Sequence, residues 1–131
     1  MDVCVLDDTY SILLVVNVDR HLRESDLGPR LISSPIAAFH NDNIIHAKRS
    51  CRDPLTGKVT PGIVMDGTMP TFYRIPITSE LATAVESGEP PEEDTIVRPY
   101  RPEVPRPGEG MKPLDNRSIT LSCFQDFKQF M

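Results

Sequence analysis

The chain of 131 residues is poor in cysteine, has no apolar run longer than five residues, and carries no excess of basic charge. Each absence removes a class of protein. Three cysteines, Cys4, Cys51 and Cys123, stand too far apart for a disulfide framework or a C-x-x-C zinc site, which points to a reducing compartment. The longest apolar run, residues 12–16, falls far short of the roughly 18 residues a membrane span needs. The N-terminal Met-Asp-Val-Cys-Val-Leu-Asp-Asp has no basic flank, and Asp7 breaks its apolar stretch, so it does not read as a secretory signal. The expectation is a soluble, intracellular protein, cytoplasmic or nuclear, with no membrane partner. With 14 basic and 19 acidic side chains, the net charge of −5 disfavours nucleic-acid binding through overall charge and leaves it only to a local basic patch. Asn116-Arg117-Ser118 fits a glycosylation sequon, but without a secretion signal it reads as coincidence.

What the chain does have is enough apolar residues for one modest core and an unusual amount of proline. Leu, Ile, Val and Phe make up 35 residues, or 27% of the chain, above the level at which collapse fails. Seven of the 13 prolines fall between Pro90 and Pro113. Three segments follow: a core over residues 1–88, a Pro-rich charged connector over 89–110, and a C-terminal helix over 111–131 that packs on the core. Glu86, Glu89, Glu92, Glu93 and Asp94 concentrate the acid at the connector's start, with Arg98, Arg101 and Arg106 following. That pattern reads as a solvated face.

Residues 3–6 and 12–18 are β-branched and apolar, and Asp7, Asp8 and Thr9 supply turn chemistry between them, which predicts an opening β-hairpin. The second run is apolar on both alternating faces, as in an interior strand, and ends in the polar cluster Asp19, Arg20 and His21. Asp26-Leu-Gly-Pro-Arg then opens a helix whose buried face is read as Leu31, Ile32, Ile36 and Phe39, with a kink or restart at Pro35. Residues 41–53 read as a polar stretch and 53–58 as a loop. A second hairpin turns at Asp66-Gly67, and Pro70 and Pro76 shorten its return strand to about residues 71–75. Thr78 or Ser79 caps a short helix over 80–87 that Gly88 ends, and a brief strand is expected over 95–98. Leu114-Asp115-Asn116 is read as the cap of a last helix with the apolar stripe Ile119, Cys123, Phe124, Phe127 and Phe130. The fold class is thus α/β (α+β): a mixed sheet of about four strands built from two hairpins and flanked by helices.

This order of strand, strand, helix and strand hairpin, with acids at the mouth of the first hairpin, resembles the core of the PD-(D/E)XK, or restriction-endonuclease-like, nuclease superfamily. More narrowly, Gly67-Thr-Met-Pro-Thr-Phe-Tyr-Arg-Ile-Pro-Ile-Thr, Ile36-Ala-Ala-Phe and Glu109-Gly-Met-Lys-Pro-Leu-Asp-Asn-Arg are similar to phrases in a group of uncharacterised fungal proteins of that superfamily. The resemblance implies a Mg²⁺ site made by two acids, with a lysine two residues after the second acid placing or activating the attacking water. Two oxygen ligands hold the hard cation, which lowers the pKa of bound water and stabilises charge at phosphorus. Asp2 matches the first acid, but the E-x-K triplet falls on Val18-Asp19-Arg20. Val18 ligates nothing, and Arg20, with a pKa above about 12, is a poor proton acceptor. A shift of one residue would give Asp19-Arg20-His21, an acid followed by a titratable base. Arg30 stands where a glutamine is expected, and the elements that precede the first motif strand in this fold are absent from the chain. The resemblance therefore implies a degenerate copy, truncated at its N-terminus.

Three functional readings follow. The first is a catalytically silent nuclease-like domain that serves as a binding or accessory module for a protein partner, with no catalytic or metal-binding residue and no cofactor. The second is an active Mg²⁺-dependent nuclease with Asp2 and Asp19 as metal ligands and His21 as base. The third is an adaptor acting through the Pro-rich segment 95–107, where Arg98-Pro-Tyr-Arg-Pro and Val104-Pro-Arg-Pro are similar to polyproline ligands of aromatic grooves. His40, His46 and Cys51 have no established metal-ligand spacing, and Ser33 and Ser34 lack the glycines of a nucleophile elbow.

Overall fold

The structure, a computed structural model, describes the backbone of residues 3–6, 12–19, 27–50 and 53–131, and the side chains of residues 5, 31–45, 48–49 and 53–131. Strands β1 (Val3–Leu6) and β2 (Ile12–Asp19) form the opening antiparallel hairpin, with a register irregularity between Val5 and Leu6. The expected turn at Asp7, Asp8 and Thr9 lies outside the described residues. Helix α1 (Leu27–Ser50) then carries the chain back, so that β3 (Gly57–Asp66) pairs parallel to β2. A parallel neighbour needs such a crossover, because the chain must return to the same end of the sheet before running forward again. Strand β4 (Met69–Thr78) returns antiparallel to β3, helix α2 (Ser79–Ser87) follows, and β5 (Arg98–Tyr100) adds to the far side of β4. Helix α3 (Leu114–Phe127) closes the described order. The result is a mixed five-stranded sheet in the order β1-β2-β3-β4-β5, one strand more than the expected four.

The β3–β4 hairpin organises the packing. Alternate residues of a strand face opposite sides of the sheet, and both sides are covered here. Val64, Ile75 and Ile77 face Leu31 and Phe39 of α1 and Leu81 of α2, while Ile63 and Phe72 face Phe127 of α3. The molecule thus has three layers, with α1 and α2 on one face of the sheet and α3 on the other. Phe39, Phe72, Ile75 and Ile77 are all at most 2% exposed. Burial of a side chain of this size stabilises the fold by about 1.5–3 kcal/mol before the entropy of ordering is set against it.

Several boundaries differ from those read in the sequence. Helix α1 is continuous through Pro35, with no restart, and runs on over most of the stretch read as polar and irregular. Its buried stripe is Leu31, Pro35, Ala38, Phe39 and Asp42, spacing i, i+4, i+7, i+8 and i+11, so it is rotated from the expected Leu31, Ile32, Ile36 and Phe39. Pro35 is itself fully buried, and burial of its ring sets packing against the missing N–H. Asp42 completes the stripe because Lys58 of β3 reaches it, Nζ to Oδ2, at 2.5 Å. Asn43 ties the following loop to the helix by accepting from Leu55 N at 2.9 Å.

Strand β4 is also longer than expected, with both Pro70 and Pro76 inside it. Main-chain N–H groups two residues apart point to the same side of a strand, so positions 70, 72, 74 and 76 share one edge. Strand β5 pairs only with residues 72–74, and the two prolines flank it at positions where no neighbour asks for a donor. By the same alternation Pro99 occupies the outward-facing position of β5, which blunts this edge against a further strand. The hairpin turn is Gly67-Thr68, one residue later than read, with Gly67 at φ 61°. Helix α2 begins at the expected cap, Thr78 Oγ1 accepting from Leu81 N at 3.1 Å, and ends at Gly88.

The Pro-rich connector contains β5, placed at Arg98–Tyr100 rather than 95–98, and is docked at both ends of its second half. Asn116, read as a helix cap, is instead a fully buried residue inside α3 whose amide clasps the connector. Its Oδ1 accepts from Arg106 N at 3.1 Å, and its Nδ2 donates to Arg106 O and Gly110 O, both at 2.7 Å. Thr68, at the hairpin tip, accepts from Met111 N at 2.9 Å. Gly110 has φ 58°, and a Cβ there would lie 2.1 Å from Thr68 Oγ1, so the contact admits only glycine. Asn116, the asparagine of the sequon, is inaccessible in the fold.

Asn116→Ala strips partners from one N–H and two carbonyls and is expected to cost about 2–4 kcal/mol in urea unfolding, with faster amide exchange over residues 106–111. Lys58→Met leaves the Asp42 carboxylate, 1% exposed, without its ammonium, and is expected to cost about 2–4 kcal/mol. Asp42→Asn is expected to cost less in the same assay, because Lys58, 25% exposed, can turn to water.

Candidate functional site

The α3 side of the sheet ends in a groove of about 300 Å³ between the C-terminal turn of α3 and the β4–β5 pair. Alternation sends Phe72 and Arg74 of β4 to this face, and the register sets Tyr100 opposite Phe72 and Arg98 opposite Arg74. Phe127, and Phe130 in the 3₁₀ turn that follows α3, form the other wall. Aromatic packing holds the walls: the Phe72 ring centroid is 4.8 Å from that of Phe127 and 5.0 Å from that of Phe124, the latter edge-on. The Arg74 guanidinium lies 4.4 Å from the Phe130 ring centre, a cation–π contact.

Polar groups line the groove as well. The Tyr100 hydroxyl is 4.0 Å from Cys123 Sγ, a weak hydrogen bond across the mouth. The hydrogen bond to Cys123 and the electrostatic influence of that side chain push the Tyr100 pKa above the ordinary 10.0, followed by burial, Glu103 and Asp126. Asp126 and Gln129 complete the rim. Among the described residues, neither Arg74 nor Arg98 is within salt-bridge distance of a carboxylate.

A larger cleft of about 670 Å³ lies on α2 and residues 89–96, lined by Glu80, Glu89, Glu92, Glu93 and Asp94. These acids crowd one sign of charge on a solvated surface.

The structure brings together little of the site read from the sequence. Asp2, His21 and Cys51 lie outside the described residues, as does the side chain of His46. Asp19 is the last residue of β2, and its backbone pairs in parallel register with Asp66, the last of β3. Two aspartate backbones therefore stand side by side at the carboxyl ends of parallel strands. Asp66 had read only as a turn residue. The missed signal was the helix between β2 and β3, which makes a parallel pairing of those strands natural. His40 and Ser33 are exposed on α1, and Ser34 is half-buried there. Among the described residues, no three of His, Cys, Asp and Glu converge as metal ligands would.

Within segment 95–107, Val97 packs against the core and Pro102 is buried, while residues 96, 98–101, 103 and 105–107 are exposed. No helix among the described residues is long and apolar enough to cross a membrane. Comparison with protein-family models, curated proteins and solved structures found no match for this chain.

Cys123→Ala is expected to lower the Tyr100 pKa toward its usual value of about 10, since loss of the thiol removes the main influence favouring the neutral phenol. Alkaline titration of tyrosine absorbance, with Tyr100→Phe identifying the transition, measures the shift.

Proposed function

We propose that this chain is a catalytically silent nuclease-like domain that serves as a binding or accessory module. The supporting observation is what stands at the end of β2. Nuclease chemistry of the kind the resemblance implies needs a carboxylate and, two residues later, a lysine; the chain has Val18 and Arg20. An isopropyl group offers no oxygen to a hard cation, and a guanidinium does not take a proton from water near neutral pH. The element order β1, β2, α1, β3, β4 agrees with the order expected from the resemblance. A groove with aromatic walls and two arginines that no carboxylate pairs with among the described residues suits a role in binding.

The second reading, a Mg²⁺-dependent nuclease using Asp2, Asp19 and His21, draws support from the pairing of Asp19 with Asp66. Residues at the carboxyl ends of adjacent parallel strands lie where open α/β sheets commonly hold ligands. Purified protein incubated with DNA or RNA and Mg²⁺ or Mn²⁺ separates the two. Under the proposed reading no metal-dependent cleavage is seen, and Asp19→Asn and Asp66→Asn change nothing. Metal-dependent cleavage that disappears in Asp19→Asn would overturn it.

A further inference from the structure

The groove beside β5 contains an electrostatic arrangement that packing alone does not account for. Arg74 and Arg98 are direct partners across the antiparallel β4–β5 pair, so their side chains leave the same face of the sheet as nearest neighbours. Like charges at such positions repel and weaken the pairing. Strand β5 is only three residues long, includes Pro99, and has little pairing to set against that cost. Among the described residues no carboxylate pairs with either guanidinium. Two forked donors on adjacent cross-strand positions, one of them held over the Phe130 ring, with no carboxylate in salt-bridge reach among the described residues, suit an anion, and a doubly charged phosphate matches two such donors better than a single carboxylate.

The rest of the groove describes the ligand's body. Tyr100, 58% exposed, presents aromatic surface in the groove next to Arg98 on the same strand, while Arg74 covers the Phe130 ring, and an open aromatic face favours a planar ring. The volume of about 300 Å³ is at the small end of ligand sites and limits the occupant to a molecule of modest size. Asp126 also lines the groove, and its carboxylate would repel a phosphate placed beside it. An acceptor there suits hydroxyl donors, and Gln129 adds a group that both donates and accepts. A phosphate, a planar ring and a polyhydroxyl link between them are the parts of a nucleotide.

We propose that the groove formed by β4, β5 and the end of α3 binds a nucleoside monophosphate, with Arg74 and Arg98 on the phosphate, the aromatic side chains against the base, and Asp126 on the sugar hydroxyls. Binding relieves the repulsion between the two arginines and so tightens β5 onto the sheet. Occupancy is independent of any chemistry at the end of β2, so the nuclease assay and the binding assay succeed or fail separately.

The test titrates the full chain with AMP, adenosine and inorganic phosphate, followed by calorimetry and by the backbone amide NMR signals of residues 98–101 and 123–130. AMP is expected to bind saturably and to shift those signals, with adenosine and phosphate each at least about tenfold weaker, because each retains only part of the recognition. Arg98→Gln, an exposed substitution that leaves circular dichroism unchanged, is expected to weaken AMP binding by at least about tenfold while leaving adenosine affinity unaltered. Asp126→Asn is expected to weaken AMP without affecting inorganic phosphate. Absence of saturable AMP binding up to about 10 mM, on a scale where 1 mM corresponds to only about 4 kcal/mol, overturns the proposal. Equal affinity for AMP and adenosine, equal affinity for AMP and phosphate, or wild-type AMP affinity in Arg98→Gln overturns it as well.

Discussion

The two-residue alternation of the β3–β4 hairpin is the constraint on which the rest of the structure depends. Its register runs unbroken from Gly57↔Thr78 to Asp66↔Met69, and each rung assigns its side chains to one of two faces. Val64, Ile75 and Ile77 on one side require the cover that α1 and α2 supply, whereas Ile63 and Phe72 on the other require α3. A slip of one residue would exchange these sets and leave both helical layers facing the wrong side chains. The same alternation fixes the groove, because it places Arg74 two residues after Phe72 on the α3 side and thereby opposite Arg98.

The connector shows how a segment of poor folding composition is held in place. Its proline content rules out long regular structure, and its ordering rests on a few directed contacts. Asn116 satisfies one donor and two acceptors at once, from a position with no exposure, and Thr68 fastens Met111 to the hairpin tip. Buried hydrogen bonds of this kind contribute modestly when made but cost much when one partner is removed, so they specify the path of the chain more than they drive its collapse. Docking the connector also delivers β5 to the sheet edge, which turns the end of α3 from a packed helix terminus into one wall of a groove. The prolines at 70, 76 and 99 mark how far that edge can extend.

Local patterns made much of the fold legible. The opening hairpin, the Gly67 turn, the Thr78 cap, the stop at Gly88 and the aromatic stripe of α3 are each encoded within a few residues of one another, and each is found. The errors arose where a long-range partner changed what a residue means. Asp42 reads as part of a polar stretch because it is charged, yet it lies on the buried stripe of α1, where Lys58, sixteen positions away, pairs with it. Pro35 reads as a kink or restart, yet it lies fully buried within a continuous helix. Asn116 reads as a cap because it stands near a helix start, although its partners lie six and ten residues upstream. As for the site, the triplet Val18-Asp19-Arg20 could be judged from the sequence, whereas the neighbours Asp66 of Asp19 and Arg98 of Arg74 could not.

The sequence by itself determined which segments extend, coil and turn, because hydrophobic period, caps and glycine positions act through covalent neighbours. It also determined that the triplet at and just after the end of β2 is Val18-Asp19-Arg20, with one acid and no lysine, since residue identity alone decides which side chains can ligate a cation or accept a proton. Only the tertiary structure decided that β2 and β3 run parallel, that the connector joins the sheet, and that two arginines 24 positions apart become cross-strand neighbours beside aromatic walls. Those outcomes depend on register between elements far apart in the chain, and register is set by how the two faces of the sheet are covered.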